Sequence, residues 1–279
     1  MNQIGLLAGW GRFPMLFAEK ARSLGQRVVC VGIRGEAEPA LADKVDVFYW
    51  AGPLRLGRMV RCFKREGVER FVMAGKIQKT RMHQPWRFLR YWPDLRTLRF
   101  LYNRNRATNS DDHMLLGIID EFAADGLKVE SALDLCPELL VRPGLLTRRA
   151  PTAAEELDIQ MGWQLAREMG RLDVGQSVMI RERAILAVEA IEGTDKAIER
   201  AGELCSKSGF VVVKVAKPSQ DRRFDVPTVG MQTINTMHRA GARVLAIEAG
   251  QTILIDETDT VALADRLGIS IAALRDPEV

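Results

Sequence analysis

The densest group of chemically active side chains lies between Lys214 and Gly230, in the segment KVAKPSQDRRFDVPTVG. This segment carries four cations, two carboxylates and two prolines that stiffen its turns: Lys214, Lys217, Arg222, Arg223, Asp221, Asp225, Pro218 and Pro227. Cations at this density beside carboxylates are typical of phosphate binding combined with a metal ion or a base. A solvated charged loop is the alternative, although such a loop seldom needs both prolines.

A second acidic segment, Glu192-Gly193-Thr194-Asp195, joins a predicted strand to a predicted helix. Carboxylates in a loop at the start of a helix can bind Mg²⁺ or accept a hydrogen bond from a sugar hydroxyl. The alternative is that Thr194 or Asp195 only caps the helix that follows.

Two glycine turns each follow a predicted strand near the N-terminus, Gly9-Trp10-Gly11 and Gly75-Lys76. Because ligands of parallel sheets bind beyond the carboxyl ends of the strands, we expect the two turns to lie side by side. The spacing Gly9-x-Gly11-x-x-Pro14 is close to the dinucleotide fingerprint, with a proline in place of the third glycine. Tight turns without a ligand are the alternative.

The end of the second predicted strand offers Arg34, where the dinucleotide fingerprint expects an acid that binds ribose. This difference argues against an NAD site. Arg34 could accept a 2′-phosphate, so an NADP-dependent oxidoreductase stays open as a second enzyme class.

Two more segments carry candidate side chains. Asp111 and Asp112 open a predicted helix, where one carboxylate favours the helix dipole and Asp112 remains a candidate to face a ligand. From Lys76 to Arg106, nine Lys or Arg residues accompany one acid, Asp94, and aromatic residues lie between them. This basic segment suits an anionic membrane surface or nucleic acid, and its leucines at helical spacing favour an interfacial helix or a protein contact.

The scaffold for these side chains is predicted to be α/β. In the first 75 residues short apolar runs alternate with helix-period stretches, which is typical of βαβ units and a parallel sheet. A loop-rich stretch with Pro137, Pro143 and Pro151 precedes a second α/β succession, and a chain of 279 residues suits two cores. We predict a Rossmann-like parallel-sheet N-terminal domain over residues 1–150 and a second α/β domain over residues 151–279.

Composition excludes several protein classes. With 47% apolar and 27% charged residues the chain is an ordinary globular protein and is not disordered. The four cysteines form no CxxC pair and the three histidines are dispersed, so a bound metal would need oxygen ligands, and Mg²⁺ is the leading candidate. No secretory signal or membrane span is predicted, so we expect a cytoplasmic location.

Several motifs together carry a family resemblance over nearly the whole chain. They occur in order in both predicted domains: IGLLAGWGRFP, VMAGK, DDHMLL, GRLDVGQ, AVEAIEGTD, KPSQDRRFDVPTVG and IEAGQTILID. This combination resembles the two-domain UDP-2,3-diacylglucosamine pyrophosphatases of lipid A biosynthesis, which are unrelated to the metallophosphoesterase-fold enzymes that catalyse the same step.

The resemblance implies hydrolysis of the pyrophosphate of UDP-2,3-diacylglucosamine to UMP and 2,3-diacylglucosamine 1-phosphate, with Mg²⁺, in a cleft between the two domains. Asp225 matches the essential aspartate of the family, and we expect it to bind the metal or orient the attacking water. The further expected catalytic residues are Lys214, Lys217 and Arg223, and the expected metal ligands are Asp225, Glu192 and Asp195. The expected substrate-binding residues are Gly9, Gly11, Gly75, Lys76, Asp112, Thr194, Gln220 and Thr228.

The expected partners follow from a substrate with two acyl chains. We expect peripheral association with the inner-membrane surface through the basic segment, no binding of nucleic acid, and leave a homodimer open. A basic nucleic-acid-binding module is the non-enzyme alternative, and it would show a steep salt dependence and no turnover.

Overall fold

The computed structural model describes residues 2–77, 92–103, 111–205, 209–218 and 221–275. The chain divides into two compact units. The N-terminal unit comprises Met1–Pro137 together with Arg222–Phe224, and the C-terminal unit comprises Glu138–Asp221 and Asp225–Val279.

The division at Pro137 lies thirteen residues before the predicted boundary at residue 150. The physical reason is that the linker-like stretch is built into the second core: Val141 is buried in it, and Gly144–Leu145 pair with the last strand of its sheet. A loop rich in proline therefore does not have to be an exposed linker.

The N-terminal unit has one five-stranded parallel sheet of order β3-β2-β1-β4-β5. Its strands are β1 (Gln3–Ala8), β2 (Arg27–Ile33), β3 (Val47–Ala51), β4 (Arg70–Ala74) and β5 (Lys128–Glu130). Its helices are α1 (Phe13–Ser23), α2 (Leu56–Arg65), α3 (Leu95–Asn103) and α4 (Asp111–Ala123). The Rossmann-like prediction is confirmed, since the order 3-2-1-4-5 is that of a doubly wound sheet.

The core of this unit explains why its strands read as continuous apolar runs. Helices cover the parallel sheet, so β1, β2 and β4 are buried along most of their length. Phe71 of β4 packs against Phe122 of α4 at a ring-centroid distance of 4.7 Å and against Phe63 of α2 at 5.1 Å. Phe224, from the short segment that groups with this unit, packs against the same core.

The C-terminal unit has a mixed six-stranded sheet of order β6-β13-β11-β9-β7-β8 and a two-stranded parallel sheet of β10 and β12. Its strands are β6 (Gly144–Leu145), β7 (Ser177–Arg181), β8 (Ala184–Val188), β9 (Phe210–Lys214), β10 (Thr228–Val229), β11 (Ala242–Glu248), β12 (Ile253–Leu254) and β13 (Ser270–Leu274). Its helices are α5 (Ala153–Arg171), α6 (Thr194–Leu204), α7 (Met231–Ala240) and α8 (Glu257–Arg266).

Local signals set two of these elements. A capping box of Thr152 and Glu155 begins α5, with reciprocal hydrogen bonds between the two residues. A two-residue turn at Glu182 and Arg183, both with positive φ, makes β7 and β8 an antiparallel hairpin. The buried carboxylate of Asp158 accepts hydrogen bonds from both turn amides at 2.9 and 2.6 Å.

Candidate functional site

The glycine turns of the N-terminal unit are joined by backbone hydrogen bonds at the carboxyl ends of β1 and β4. Gly9 N–H donates to Ala74 O at 2.8 Å, and Trp10 and Lys76 exchange two hydrogen bonds of 2.7 and 2.9 Å. The prediction that the two turns lie side by side is confirmed. The turn leaves the Lys76 side chain exposed at the sheet edge where ligands of doubly wound folds bind.

Only glycine fits the two closest positions of this contact. A Cβ on Gly9 would lie 2.7 Å from Lys76 O, and a Cβ on Gly75 would lie 2.8 Å from Trp10 O. Gly75 also has a φ of +89°, which disfavours any other residue. Gly11, with a φ of +108°, has open space around it and lies two residues before α1 begins at Phe13. The glycines thus serve the packing of the turn, and the room over Gly11 is where an anion could approach the start of the helix.

A buried lysine is the centre of the C-terminal unit's candidate site. Lys214, at the end of β9, is 4% exposed. Its Nζ donates to Thr194 Oγ1 at 2.9 Å and lies 3.5 Å from the backbone oxygen of Thr228. The structure therefore brings together three residues that sequence reasoning selected separately: Lys214, Thr194 and Thr228.

Glu189 completes this cluster, and sequence reasoning missed it. Thr194 Oγ1 donates to Glu189 Oε1 at 2.9 Å, so the Thr194 hydroxyl links the buried cation to a carboxylate that is 9% exposed. Glu189 Oε2 is buried and has no hydrogen-bond partner within the described part of the chain. A buried ammonium group that is charge-balanced through a hydroxyl keeps N–H groups to offer to an anion. The signal available in the sequence was an acid that follows an apolar strand, three residues before Glu192.

The start of α6 does not match the alternative in which the Thr194 side chain only caps the helix. The residue that precedes the helix is Gly193, with a φ of +84°, and no side chain caps the helix. Because Thr194 uses its hydroxyl on Lys214 and Glu189, the capping alternative is wrong for Thr194.

The start of the charged loop after β9 is held by a second buried acid. Glu248 of β11 accepts a hydrogen bond from Ala216 N–H at 2.8 Å and forms an ion pair with Arg167 at 3.3 Å. These contacts fix the chain two residues before Pro218, so the loop leaves the sheet in a set direction.

Two of the other candidates in this loop have contacts that the structure defines. Asp225 N–H donates to Asp221 O at 2.9 Å, so the Asp225 carboxylate lies on a tight turn and is partly exposed. Lys217 Nζ is paired with Asp173 Oδ1 at 2.6 Å. Arg223 is partly exposed. Gln220 lies outside the described residues, as does the side chain of Asp112, whose backbone is in the first turn of α4.

The predicted metal ligands are not gathered into one centre. Glu192 Oε1 is paired with Arg200 at 2.6 Å, and Asp195 Oδ2 accepts a hydrogen bond from Gln232 at 2.9 Å. Across the described ranges, no group of three His, Cys, Asp or Glu side chains could hold a metal ion. The predicted metal ligands Asp225, Glu192 and Asp195 stay a prediction, and two of them, Glu192 and Asp195, have polar partners of their own.

Two consecutive α/β units, the first with a glycine turn at the ligand edge of a Rossmann-like sheet, define a two-domain α/β protein. The family model of the LpxI N-terminal domain matches residues 3–139, and that of the LpxI C-terminal domain matches residues 142–272. The chain is 31% identical to the "UDP-2,3-diacylglucosamine pyrophosphatase LpxI" of Caulobacter vibrioides, over 100% of this chain and 99% of that protein.

The chain belongs to the LpxI family. The family resemblance predicted from the sequence motifs is thus confirmed. The two matched regions meet near residue 140, which agrees with the structural division at Pro137.

Proposed function

We propose that this chain hydrolyses the pyrophosphate bond of UDP-2,3-diacylglucosamine and releases UMP and 2,3-diacylglucosamine 1-phosphate. The observation that carries the proposal is the full-length relation to a pyrophosphatase of that name. The buried lysine cluster supports it, because hydrolysis at phosphorus depends on positioning and on charge neutralisation more than on covalent chemistry.

We assign the chemical step to the C-terminal unit. Water attacks the phosphorus nearer the sugar, its proton passes to the Asp225 carboxylate, and the bond from that phosphorus to the oxygen of the UMP phosphate breaks. Lys214 offers a desolvated cation to the phosphoryl oxygens, and such a cation acts more strongly than it would in water. Lys217, which is ion-paired with Asp173, and Arg223, which groups with the N-terminal unit, stay in the proposal as catalytic candidates from the sequence.

We assign the nucleotide half of the substrate to the N-terminal unit. The exposed Lys76 and the open backbone at Gly11 lie at the ligand edge of its sheet, where a helix start and a cation favour phosphate. Asp112 and Gln220 stay in the proposal as substrate-binding candidates from the sequence.

Mg²⁺ stays a proposal from the resemblance, and no step above depends on it. The described residues offer no centre with several carboxylates, so a Mg²⁺ ion used here would have to rely on substrate phosphates with one carboxylate such as that of Asp225. Removal of divalent ions with a chelator should stop UMP release, and added Mg²⁺ should restore it. Full turnover in chelator would show that the reaction does not need Mg²⁺.

We further propose that α3 contacts the membrane surface that presents the substrate. Leu95 and Tyr102 are 85% and 90% exposed, and Trp92 just before the helix is 67% exposed. Asp94 accepts a hydrogen bond from Thr97 N–H at 3.0 Å, so the start of the helix is capped. An apolar helical face of this kind can insert at the lipid interface.

The positive charge on this helix is smaller than the sequence predicts. Arg96 is ion-paired with Glu121 at 2.7 Å and also with Asp125, whereas Arg99 is exposed. No helix within the described ranges is long and apolar enough to cross a bilayer. Contact with lipid through α3 would therefore be peripheral and mainly apolar.

The membrane proposal is tested by the double variant Leu95→Ser, Tyr102→Ser on vesicles of phosphatidylethanolamine and phosphatidylglycerol. We expect vesicle binding to fall about tenfold, from the loss of apolar insertion. The matched control is Leu172→Ser, Ile191→Ser, which removes two apolar side chains that are 72% and 76% exposed in the C-terminal unit. Equal binding by the two double variants would contradict the role of α3.

The proposed reaction is tested with purified protein and UDP-2,3-diacylglucosamine in mixed micelles. We expect equimolar UMP and 2,3-diacylglucosamine 1-phosphate by mass spectrometry. Absence of both products, with folded protein and Mg²⁺ present, would contradict the proposed function.

A further inference from the structure

The hydroxyl of Thr194 lies between a buried cation and a buried acid, and only one arrangement of donors and acceptors is open to it. A lysine ammonium group can only donate hydrogen bonds, and an ionised carboxylate can only accept them. Thr194 Oγ1 is 2.9 Å from Lys214 Nζ and 2.9 Å from Glu189 Oε1, so it accepts from the lysine and donates to the glutamate. Because its one proton is used on Glu189, this hydroxyl has none to donate to a phosphate oxygen.

The backbone of Glu189, directly after β8, is held from two sides. Its N–H donates to Ser177 O of β7 at 2.9 Å. Its carbonyl is covered by Gly175, where an added Cβ would lie 2.1 Å from Glu189 O. Gly175 is not in the left-handed region, so a glycine is needed there for the close approach and not for a turn. Close packing therefore sets the place from which the Glu189 carboxylate reaches Thr194.

The hydrogen bonds of this cluster are not those that stability alone would favour. Glu189 Oε2 is buried and has no partner among the residues that the structure describes. Lys214 Nζ reaches its second acceptor, Thr228 O, only at 3.5 Å. Buried charges whose hydrogen-bonding groups are not all satisfied destabilise a fold, and such groups call for a functional explanation. An ammonium group with N–H groups left for a ligand provides one.

We propose that Glu189 and Thr194 are positioning residues for Lys214. The Glu189 carboxylate fixes the direction of the Thr194 hydroxyl, and this hydroxyl holds the Lys214 ammonium group where it meets the phosphoryl oxygens of the substrate. The inference rests on the proposed function for the identity of that phosphoryl group. A cation fixed before the substrate binds does not have to reorganise during the reaction. Thr194 thus acts through Lys214, whereas the sequence predicted direct contact with the substrate.

The first test removes the Thr194 hydroxyl and keeps the shape of the side chain. Thr194→Val should lower kcat at least about tenfold and change KM less than about twofold, because Lys214 loses the acceptor that positions it. Thr194→Ser keeps the hydroxyl and should restore most of the wild-type kcat. The matched control is Thr252→Val, which should keep the wild-type kcat, because Thr252 Oγ1 is buried in the same unit without a hydrogen-bond partner in the described ranges. Raised KM with unchanged kcat in Thr194→Val would overturn the proposal.

The second test removes the carboxylate. Glu189→Met should lower kcat at least about tenfold, and Glu189→Gln should keep more activity, because its amide oxygen can still accept a hydrogen bond from Thr194. In the Lys214→Met background, neither Glu189→Met nor Thr194→Val should lower kcat further, since both residues act through the lysine. A wild-type kcat in Glu189→Met, or a further loss of about tenfold in that background, would overturn the proposal.

Urea unfolding gives a readout that does not depend on turnover. Glu189→Met should lower the urea midpoint of the wild-type protein but raise that of Lys214→Met, because there it removes a buried acid that has lost its cation. If wild-type protein releases no UMP, the proposed function fails, while this change of sign would still support the coupling of Glu189 to Lys214. Normal wild-type turnover, with no loss of kcat in Glu189→Met and no change of sign, would overturn the inference and leave the reaction standing.

Discussion

The two candidate regions of this chain present positive charge in opposite ways. In the N-terminal unit the glycine turn is made of backbone, and the exposed Lys76 stands at its edge. In the C-terminal unit Lys214 is buried and depends on the side chains of Thr194 and Glu189. An exposed cation attracts a phosphate at little cost in stability, whereas a buried cation acts more strongly but must be compensated within the protein.

The two regions are therefore suited to different parts of the reaction. The glycine turn is suited to holding a charge that does not change during the reaction. The buried cluster is suited to charge that develops at the reacting phosphorus, since groups fixed in a dry site do not have to reorganise.

The largest expected effect is on Asp225. Asp225→Asn should lower kcat by roughly 100- to 10,000-fold, because the attacking water loses its proton acceptor. The thermal unfolding midpoint should stay unchanged, since the side chain lies partly exposed on a turn. Stopped assays of UMP release and thermal unfolding are measured on the same preparation. A variant within a few-fold of the wild-type rate would show that Asp225 is not the proton acceptor.

Replacing Lys214 and Lys76 one at a time by methionine tests this comparison between the two regions directly. Lys214→Met should lower kcat about 100-fold and destabilise the fold by about 3 kcal/mol, because Glu189 is left as an unbalanced buried acid. Lys76→Met should raise KM about tenfold and change stability by less than about 0.5 kcal/mol. Urea unfolding and steady-state kinetics check the pair. A change in kcat without a change in KM for Lys76→Met would contradict the division of labour.

The glycine turn of the N-terminal unit is tested by its effect on stability. Gly75→Ala should destabilise the protein by about 2 to 4 kcal/mol, because its φ of +89° costs about 1 kcal/mol and the new Cβ would in addition lie 2.8 Å from Trp10 O. Gly25→Ala is the matched control: Gly25 also has a positive φ, of +72°, but open space around it, so about 1 kcal/mol is expected. The same loss of stability in both variants would mean that the close contact between the turns does not contribute to the free energy of unfolding.

The smallest effect comes from a charged network of the N-terminal unit that lies outside the proposed sites. Hydrogen bonds from Tyr49 and Arg27 lower the pKa of Glu66 below its usual 4.5. A lowered pKa in the folded state stabilises the fold above the usual value, and this contribution is lost as the pH falls through the lowered pKa. Glu66→Gln should therefore be less stable than the wild type at pH 7 and equally stable in acid, with unchanged kcat. Equal stability at pH 7 would show that the network contributes nothing.

The sequence predicted backbone-made features better than side-chain clusters. The alternation of apolar runs and helix-period stretches predicted the parallel sheet of the N-terminal unit, and the contact of the glycine turns was predicted because each glycine follows a strand. Such features depend on a few neighbouring residues, and propensity and periodicity report on those.

The Lys214 cluster is a feature that could not be predicted from the sequence. Its side chains come from separate segments, and the contact of Glu189 with Thr194 depends on how the end of β8 lies against α6. The same limit applies to Glu192, which lies two residues before Thr194 in the sequence but is paired with Arg200. Spacing along the chain gives the candidates, while the direction of each side chain is set by packing.

Turnover in ¹⁸O-labelled water distinguishes the roles of the two units most directly. If the C-terminal unit directs water to the phosphorus nearer the sugar and the N-terminal unit holds the departing nucleotide, one ¹⁸O should appear in 2,3-diacylglucosamine 1-phosphate and none in UMP. Mass spectrometry of both products after a single turnover gives the answer. Label in UMP would place the attack on the nucleotide side and contradict the roles assigned to the two units.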